Sequence, residues 1–464
     1  MTQMSKKHCL QNPRIGRILA LHFHHILSFY PVFFRRMQII RHPERSEWAQ
    51  LTARPTLSFD AMERRVLPLM NAVKERGDAA LLEFTREFDR VEHPVLPVSE
   101  EEFAEAERHM AEDLKNAIRL AAGNIERFHK AQVELPERIE TQPGVVCWRK
   151  SVPIQRVGLY IPGGTAPLFS TILMLGVPSS IAGVPERVLC TPPQSDNSVH
   201  PAILFAANLV GIRRVFKVGG AQAIAALTHG TATIPKVDKI FGPGNQYVTV
   251  AKQIAQRSGV AIDMPAGPSE VAVLADESCN PVFVAADLLS QAEHGADSQV
   301  VFITTSEASI QAILEELTRQ TAVLPRGAIA EQALANSRAV LFAKMDDAID
   351  FANDYAAEHL IIASNDADSI AERIVNAGSI FLGHFSPEAV GDYASGTNHT
   401  LPTNGYARAY SGVSVDSFVK KITFQRLSPA GIASIGTAVE ILAEAEGLQA
   451  HKNAVSVRKA ALGH

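Results

Sequence analysis

The 464-residue chain is 46% hydrophobic and 20% charged, enough apolar material for more than one buried core and a balance that excludes global disorder. Its 44 lysines and arginines against 49 aspartates and glutamates leave a net charge of −5, which excludes the basic footprint of a nucleic-acid binder. Four cysteines, Cys9, Cys147, Cys190 and Cys279, lie far apart with no Cys-x-x-Cys spacing, which argues against a disulfide framework or zinc finger and for a reducing cytoplasm.

Residues 1–36 do not match the rest. No acidic residue precedes Glu44, and a basic start leads into "ILALHFHHILSFYPVFF". That order resembles a secretion signal, yet His22, His24, His25 and Pro31 interrupt the run and no small-residue cleavage site follows. The run is also short of the roughly 20 mostly apolar residues that a membrane helix needs. The expectation is a start codon assigned too early, with the working protein beginning at Met37; a targeting segment is the alternative. The three clustered histidines are not read as metal ligands.

From Met37 to Glu140 apolar residues recur at helical spacing in "FDAMERRVLPLMNAVKERGDAALLEFTREFD" and "SEEEFAEAERHMAEDLKNAIRLAAGNIERFHKAQ", and Ser99 with Glu102 predicts a capping box. From Arg156 short β-branched runs alternate with helical stretches. "RVGLYIPGG", "RVLCTPP", "RVFKVGG" and "DKIFGPGN" form one series; "SQVVFITTS", "RAVLFAKMD", "HLIIASN" and "GSIFLGHF", after "PAGPSEVAVLAD", form another. Strands alternating with helices imply βαβ crossovers, hence two parallel α/β sheets in succession. The stretch from Asp416 to the end reads as helical, suiting an arm that packs on another body.

The glycine turns "IPGGTAP", "VGGAQA" and "FGPGNQ" fall at the carboxyl ends of predicted strands, where open parallel sheets collect ligands. Glycine lets backbone N–H groups approach a phosphate, and a following helix start favours the anion. None is G-x-G-x-x-G, so these turns are equally readable as tight strand-to-helix connections.

Four polar groupings are candidates for chemistry, none decisive singly. In "LLSQAEHGADSQ", Gln291 and His294 share one face of a helix that Asn280-Pro281 starts and Gly295 stops. Histidine is a good zinc ligand and glutamine a poor one, so solvation of a helix end is the competing reading. In "NDYAAEHLII", Glu358 and His359 lie where a helix gives way to an apolar strand, and a carboxylate beside an imidazole can divide proton work. No second histidine completes H-E-x-x-H, which excludes a metallopeptidase pattern. "GDYASGTNHTLPT" joins Asp392 to His399 in a loop that is either a structural turn or ordered by a ligand. "EAEGLQAH" carries Glu446 and His451 in the helical tail.

Taken together with "GLYIPGGTAPLFSTILMLGVP", "VGGAQAIAALTHGT", "IFGPGNQYVTVAK", "IDMPAGPSEVAVLAD" and "ARAYSGVSVDSF", these phrases resemble the histidinol dehydrogenases over nearly everything except the leading 36 residues. The resemblance implies an α/β fold of two Rossmann-like parallel-sheet domains, here 156–266 and 267–415. A helical N-terminal part, 37–155, would pack with the second domain, and a helical C-terminal arm, 416–464, would make dimer contacts. It implies two successive NAD-dependent oxidations, L-histidinol to the aldehyde and on to L-histidine, in a cytoplasmic homodimer holding one zinc per subunit, with no nucleic-acid or membrane partner. Position by position, the zinc ligands would be Gln291, His294, Asp392 and His451. Glu358 and His359 would be the acid–base pair, with Glu358 activating water. Ser269, His399 and Glu446 would contact substrate, which the zinc ligands and the acid–base pair also face. Tyr160, Gln222 and Asn245 would contact NAD. Glu446 and His451 would enter the site of the neighbouring subunit. The rivals are a dehydrogenase of the same fold acting on another small polar alcohol and a nucleotide-binding protein without catalysis.

Overall fold

The computed structural model describes residues 37–54, 59–163, 167–265 and 267–463, so the leading segment and its alternatives lie outside the described residues. In chain order the elements begin with β1 (Gln38–Arg41), α1 (Trp48–Leu51), α2 (Phe59–Arg76), α3 (Asp78–Phe88), α4 (Glu100–His109) and α5 (Glu112–Lys130). Two strands, β2 (Arg138–Gln142) and β3 (Val145–Pro153), precede the first α/β series: β4 (Arg156–Tyr160), α6 (Phe169–Ile181), β5 (Glu186–Thr191), α7 (Pro201–Leu209), β6 (Arg214–Lys217), α8 (Gly220–His229), β7 (Lys239–Phe241), α9 (Gln246–Arg257) and β8 (Ala261–Ile262). The second series runs β9 (Glu270–Ala275), α10 (Pro281–Ala292), β10 (Gln299–Thr304), α11 (Glu307–Thr321), α12 (Gly327–Ala335), β11 (Arg338–Leu341), α13 (Met345–Tyr355), β12 (His359–Ala363), α14 (Ala367–Ala371), β13 (Ser379–Leu382) and α15 (Glu388–Tyr393). The chain closes with β14 (Val419–Leu427), α16 (Pro429–Ala445) and α17 (Gln449–Ala460).

Both predicted sheets are present and wholly parallel. The first has the order β6-β5-β4-β7-β8 and the second β1-β11-β10-β9-β12-β13. Their central strands are continuous apolar runs because helices cover both faces. In β4, Val157 and Leu159 face a core built with α4 to α7, while Tyr160 joins the opposite core with α2, α3, α8 and α9. The second sheet repeats the plan: Val271 and Val273 face α10 to α12, and Ala272 and Leu274 face α13 and α14. The predicted capping box at Ser99 and Glu102 forms, and Asn280 caps α10 by accepting from the Val282 N–H at 3.0 Å.

Two segments differ from the sequence expectation. Residues 37–155 divide between the sheets rather than packing as a whole with the second: β1 and Trp48 join the second, whereas α2 to α5 cover the first. The C-terminal segment opens with a strand, since β14 pairs antiparallel with β3, which pairs with β2. Phe424 stacks on Trp148 across that ribbon with ring centroids 5.2 Å apart. β14 finds its partner some 270 positions away in sequence, which no local pattern marks, whereas β2 and β3 are a local hairpin turned at Pro143-Gly144. Among the described residues no helix is long and apolar enough to cross a membrane.

Candidate active site

Glu358 and His359 sit at the amino ends of the second sheet. Helix α13 ends at Ala356, whose left-handed φ of 52° turns the chain, and β12 then starts at His359 between β9 and β13. Glu358 and His359 are both buried. The Glu358 backbone carbonyl accepts from the Ser379 N–H at 2.9 Å, and its Oε2 accepts from the Glu270 N–H at 3.0 Å. A side chain at Gly378 would come within 2.5 Å of the Glu358 carbonyl oxygen, so only glycine lets the following strand approach this closely.

Helix α15 brings two more carboxylates, four residues apart on one face. Glu388 Oε1 lies 3.6 Å from His359 Nδ1, Glu358 Oε2 lies 3.8 Å from the same nitrogen, and Asp392 Oδ1 lies 3.5 Å from Nε2. Glu388 is 1% exposed and was not among the residues singled out in the sequence; an acidic residue in the first turn of a short helix gives no signal there. The only cue is its spacing to Asp392 in "PEAVGD".

The remaining sequence candidates fall into two groups. Gln291, at the end of α10, is 1% exposed, and both its carboxamide atoms are buried without a partner. His294 is solvent-accessible yet crowded by protein; that crowding lowers its pKa, against the pull of Asp392. His399 Nδ1 donates to the Asp392 carbonyl at 2.9 Å, which leaves Nε2 to accept from the Thr171 hydroxyl at 3.1 Å. Thr171 belongs to α6 of the first sheet, so this bond ties the two halves together beside the cluster. Ser269 precedes Glu270, whose N–H holds Glu358. Glu446 and His451, by contrast, are exposed on the C-terminal helices, and neither is among the side chains that touch His359.

The electrostatics follow from burying four titratable groups together. Burial pushes Glu358 up to about 8, against the pull of His359 and the Glu270 N–H. Burial also disfavours the His359 imidazolium, but Glu388, Glu358 and Asp392 together outweigh it and raise its pKa to about 10. Both values rise because the cluster retains protons, and the imidazole, facing three carboxylates, is the stronger holder. Asp392 is held below the usual carboxylate range: burial alone would raise it, but His359, His399 and His294 prevail.

The chemistry of the donor set suits a divalent cation. His359, Glu388 and Asp392 offer ligand atoms within 4.8 Å of one another. Both ring nitrogens of His359, Glu388 Oε2, Asp392 Oδ1 and the Gln291 carboxamide are buried and unpartnered, a concentration of unsatisfied donors and acceptors that folded proteins seldom tolerate without a ligand. This triad shares only Asp392 with the ligand set implied by the resemblance.

A second concavity, of about 890 Å³, lies at the carboxyl ends of β4, β5 and β6. Tyr160, Gln222 and Asn245 all line it. The Tyr160 hydroxyl accepts from the Gly220 N–H at 3.0 Å, and burial pushes its pKa up to about 12. Asn245 caps α9 through the Val248 N–H at 3.2 Å. Gly242 packs so closely on β4 that a Cβ there would collide with the Tyr160 carbonyl oxygen. The His359 cluster and this cavity therefore lie at opposite strand ends of their respective sheets.

Comparison with known proteins identifies the family. Residues 52–459 match the histidinol dehydrogenase family. The histidinol dehydrogenase of Bacteroides thetaiotaomicron is 57% identical over 422 residues, covering 91% of this chain and 99% of that relative. That of Xanthomonas campestris pv. campestris is 53% identical, covering 89% and 98%. The crystal structure of histidinol dehydrogenase from Elizabethkingia anophelis superposes with a TM-score of 0.90 at 54% identity, covering 92% of this chain and 99% of that one. The chain belongs to the histidinol dehydrogenase family.

Proposed function

We propose that this chain oxidises L-histidinol to L-histidine in two NAD-dependent steps, closing histidine biosynthesis. The observation that carries the reading is the buried Glu358–His359 pair set against Glu388 and Asp392, whose ligand atoms lie unpartnered. Gln291, His294 and Asp392, with His451 of a second copy, would hold one zinc per subunit. Zinc there would fix and orient the substrate through its imidazole and amine. NAD in the cavity beside Tyr160, Gln222 and Asn245 takes up the hydride in each oxidation.

The chain's own residues divide the proton work. Alcohol oxidation needs a base for the hydroxyl proton, and His359 is the group placed for it. Aldehyde oxidation first needs water added to the carbonyl carbon, and Glu358 takes the proton of that water. The carboxylates around His359 stabilise the imidazolium that forms when it takes the hydroxyl proton, and Glu358, held out of water beside it, is placed for the second task. Ser269 and His399 would contact the substrate.

The site is completed across a homodimer. Exposed apolar side chains on the C-terminal helices and the antiparallel ribbon, among them Ile441, Leu442, Ile422 and Phe424, support an interface on this arm. Glu446 and His451 lie on the same arm, available to a neighbouring subunit. The deciding measurement is the count of NADH formed per histidinol consumed by the zinc-loaded protein. Two per molecule without free aldehyde is the expected result; one per molecule would reduce the activity to that of an alcohol dehydrogenase.

A further inference from the structure

Asp89 is a carboxylate in a place that offers it nothing. It ends α3, where the helix dipole is unfavourable to an anion, and its own N–H is spent on the Thr85 carbonyl at 3.1 Å. Its Oδ2 is buried with no hydrogen-bond partner. Burial pushes its pKa up to about 6. The residue nonetheless lines the cavity that holds Tyr160, Gln222 and Asn245, flanked by Leu69 and Phe88. An unpaired carboxylate that costs the folded chain stability is explained if a ligand supplies its missing donors.

The chemistry of those donors follows from the rest of the lining. Among the described residues no lysine or arginine lines this cavity; Arg65 reaches only the hydroxyl of the lining Tyr247, at 3.3 Å. A carboxylate cannot face a pyrophosphate, which the N–H groups at the starts of α8 and α9 suit better. It can accept from vicinal hydroxyls, the use that acidic residues find against ribose in ordinary dinucleotide-binding folds. The side of the cavity bearing Asp89 belongs to α3, which packs on α2 and α8 of the first sheet. The lining that leads toward the second sheet is Pro167, two residues before α6, whose Thr171 hydroxyl donates to His399 of the second half. The reacting nicotinamide belongs on that second side, so Asp89 is left for the adenosine half.

We propose that Asp89 accepts from the adenosine ribose hydroxyls of NAD and makes this cavity reject a 2′-phosphate, setting the preference for NAD over NADP. This rests on the reading of the cavity as the dinucleotide site. A 2′-phosphate would meet a carboxylate with no lining cation to offset it.

The test is direct binding, by calorimetry, of NAD, NADP and the 2′-deoxyadenosine analogue of NAD to the zinc-loaded protein and its D89N and D89S variants. The unmodified protein should bind NAD about 10- to 100-fold more tightly than either other dinucleotide, the range expected for hydrogen bonds to a charged group. Both variants should lose most of the difference between NAD and its 2′-deoxy analogue, and D89N should close the gap to NADP. Equal binding of NAD and NADP by the unmodified protein overturns the proposal, without recourse to a variant. So does a variant that keeps the full discrimination. Failure of the unmodified protein to bind NAD at all would instead remove the assignment of the cavity, and this proposal with it.

Discussion

The backbone N–H of Glu270 holds Oε2 of Glu358 at 3.0 Å, and the Glu270 side chain is in turn gripped by Arg54 through two bonds of 2.8 and 2.9 Å. Arg54 also donates to the Tyr355 carbonyl at 2.5 Å and lies over the Tyr355 ring at 3.7 Å. The side chains of the pair are 8% and 1% exposed, so the Glu358 carboxylate hangs from a buried ion pair. Removing one partner of such a pair leaves an uncompensated charge. Arg54→Met should therefore cost about 3–5 kcal/mol in denaturant unfolding, and adding Glu270→Gln should recover part of it. An Arg54→Met loss below about 1 kcal/mol, as for exposed pairs, would show that this pair supports nothing.

Glu358→Gln keeps the shape and removes the base. The aldehyde half-reaction depends on a group to take the proton of water, so single-turnover NADH formation from histidinal should fall by about 10²–10⁴-fold. The fall from histidinol should be smaller, because His359 serves that step. Equal losses on the two substrates would remove the division of labour.

Glu388→Gln probes a residue whose role the sequence hid. Its carboxylate is one of three that raise the His359 pKa, so its loss should move the imidazole titration, followed by NMR, to lower pH. The acid limb of the kcat/KM profile should move in the same direction, by on the order of one pH unit for a charge at this distance. An unmoved limb would mean that Glu388 does not govern the imidazole.

How much of this could be read in advance depended on what each residue buries. Strands β4 to β7 and β10 to β13 were legible because apolar β-branched runs mark strands covered on both faces. β14 was not, because it acquires its partner only from a segment some 270 positions away, and the β2–β3 hairpin, though turned at Pro143-Gly144, sits next to helical sequence in exposed, polar-rich residues. Glu358 and His359 stood out by themselves at a helix-to-strand change. Gln291 stood out with His294 by helical spacing, but its ligand role and the cofactor-side residues Tyr160, Gln222 and Asn245 came only from the family resemblance, since buried amides and capping residues are ordinary in sequence. Glu388, Glu270 and Arg54 were invisible, because their roles rest on distances between segments up to 216 positions apart.

Completion of the site by a second copy predicts complementation. Glu358→Gln and His451→Ala should each be inactive in the second oxidation. Mixed and reassociated, they should recover activity at about a quarter of the sites, since each heterodimer has one site with both residues intact. No recovery, with exchange of subunits shown by light scattering or mass spectrometry, would confine His451 to its own chain.

Asp89 also makes a prediction about stability alone. Its pKa is raised in the folded protein, to about 6 from 3.8. A group raised on folding contributes stability that is present below its unfolded pKa and lost as pH rises through the folded value. A carboxamide does not titrate, so Asp89→Asn should match the unmodified protein near pH 4 and exceed its melting temperature above pH 6. The gain should be only about a degree or two, because water still reaches part of the group and the chain is large. Saturating NAD should reverse the order at pH 8. The unmodified protein gains more from mass action when its carboxylate finds the ribose hydroxyls. A variant that melts higher than the unmodified protein even with saturating NAD would mean that Asp89 is a burden the cofactor never relieves.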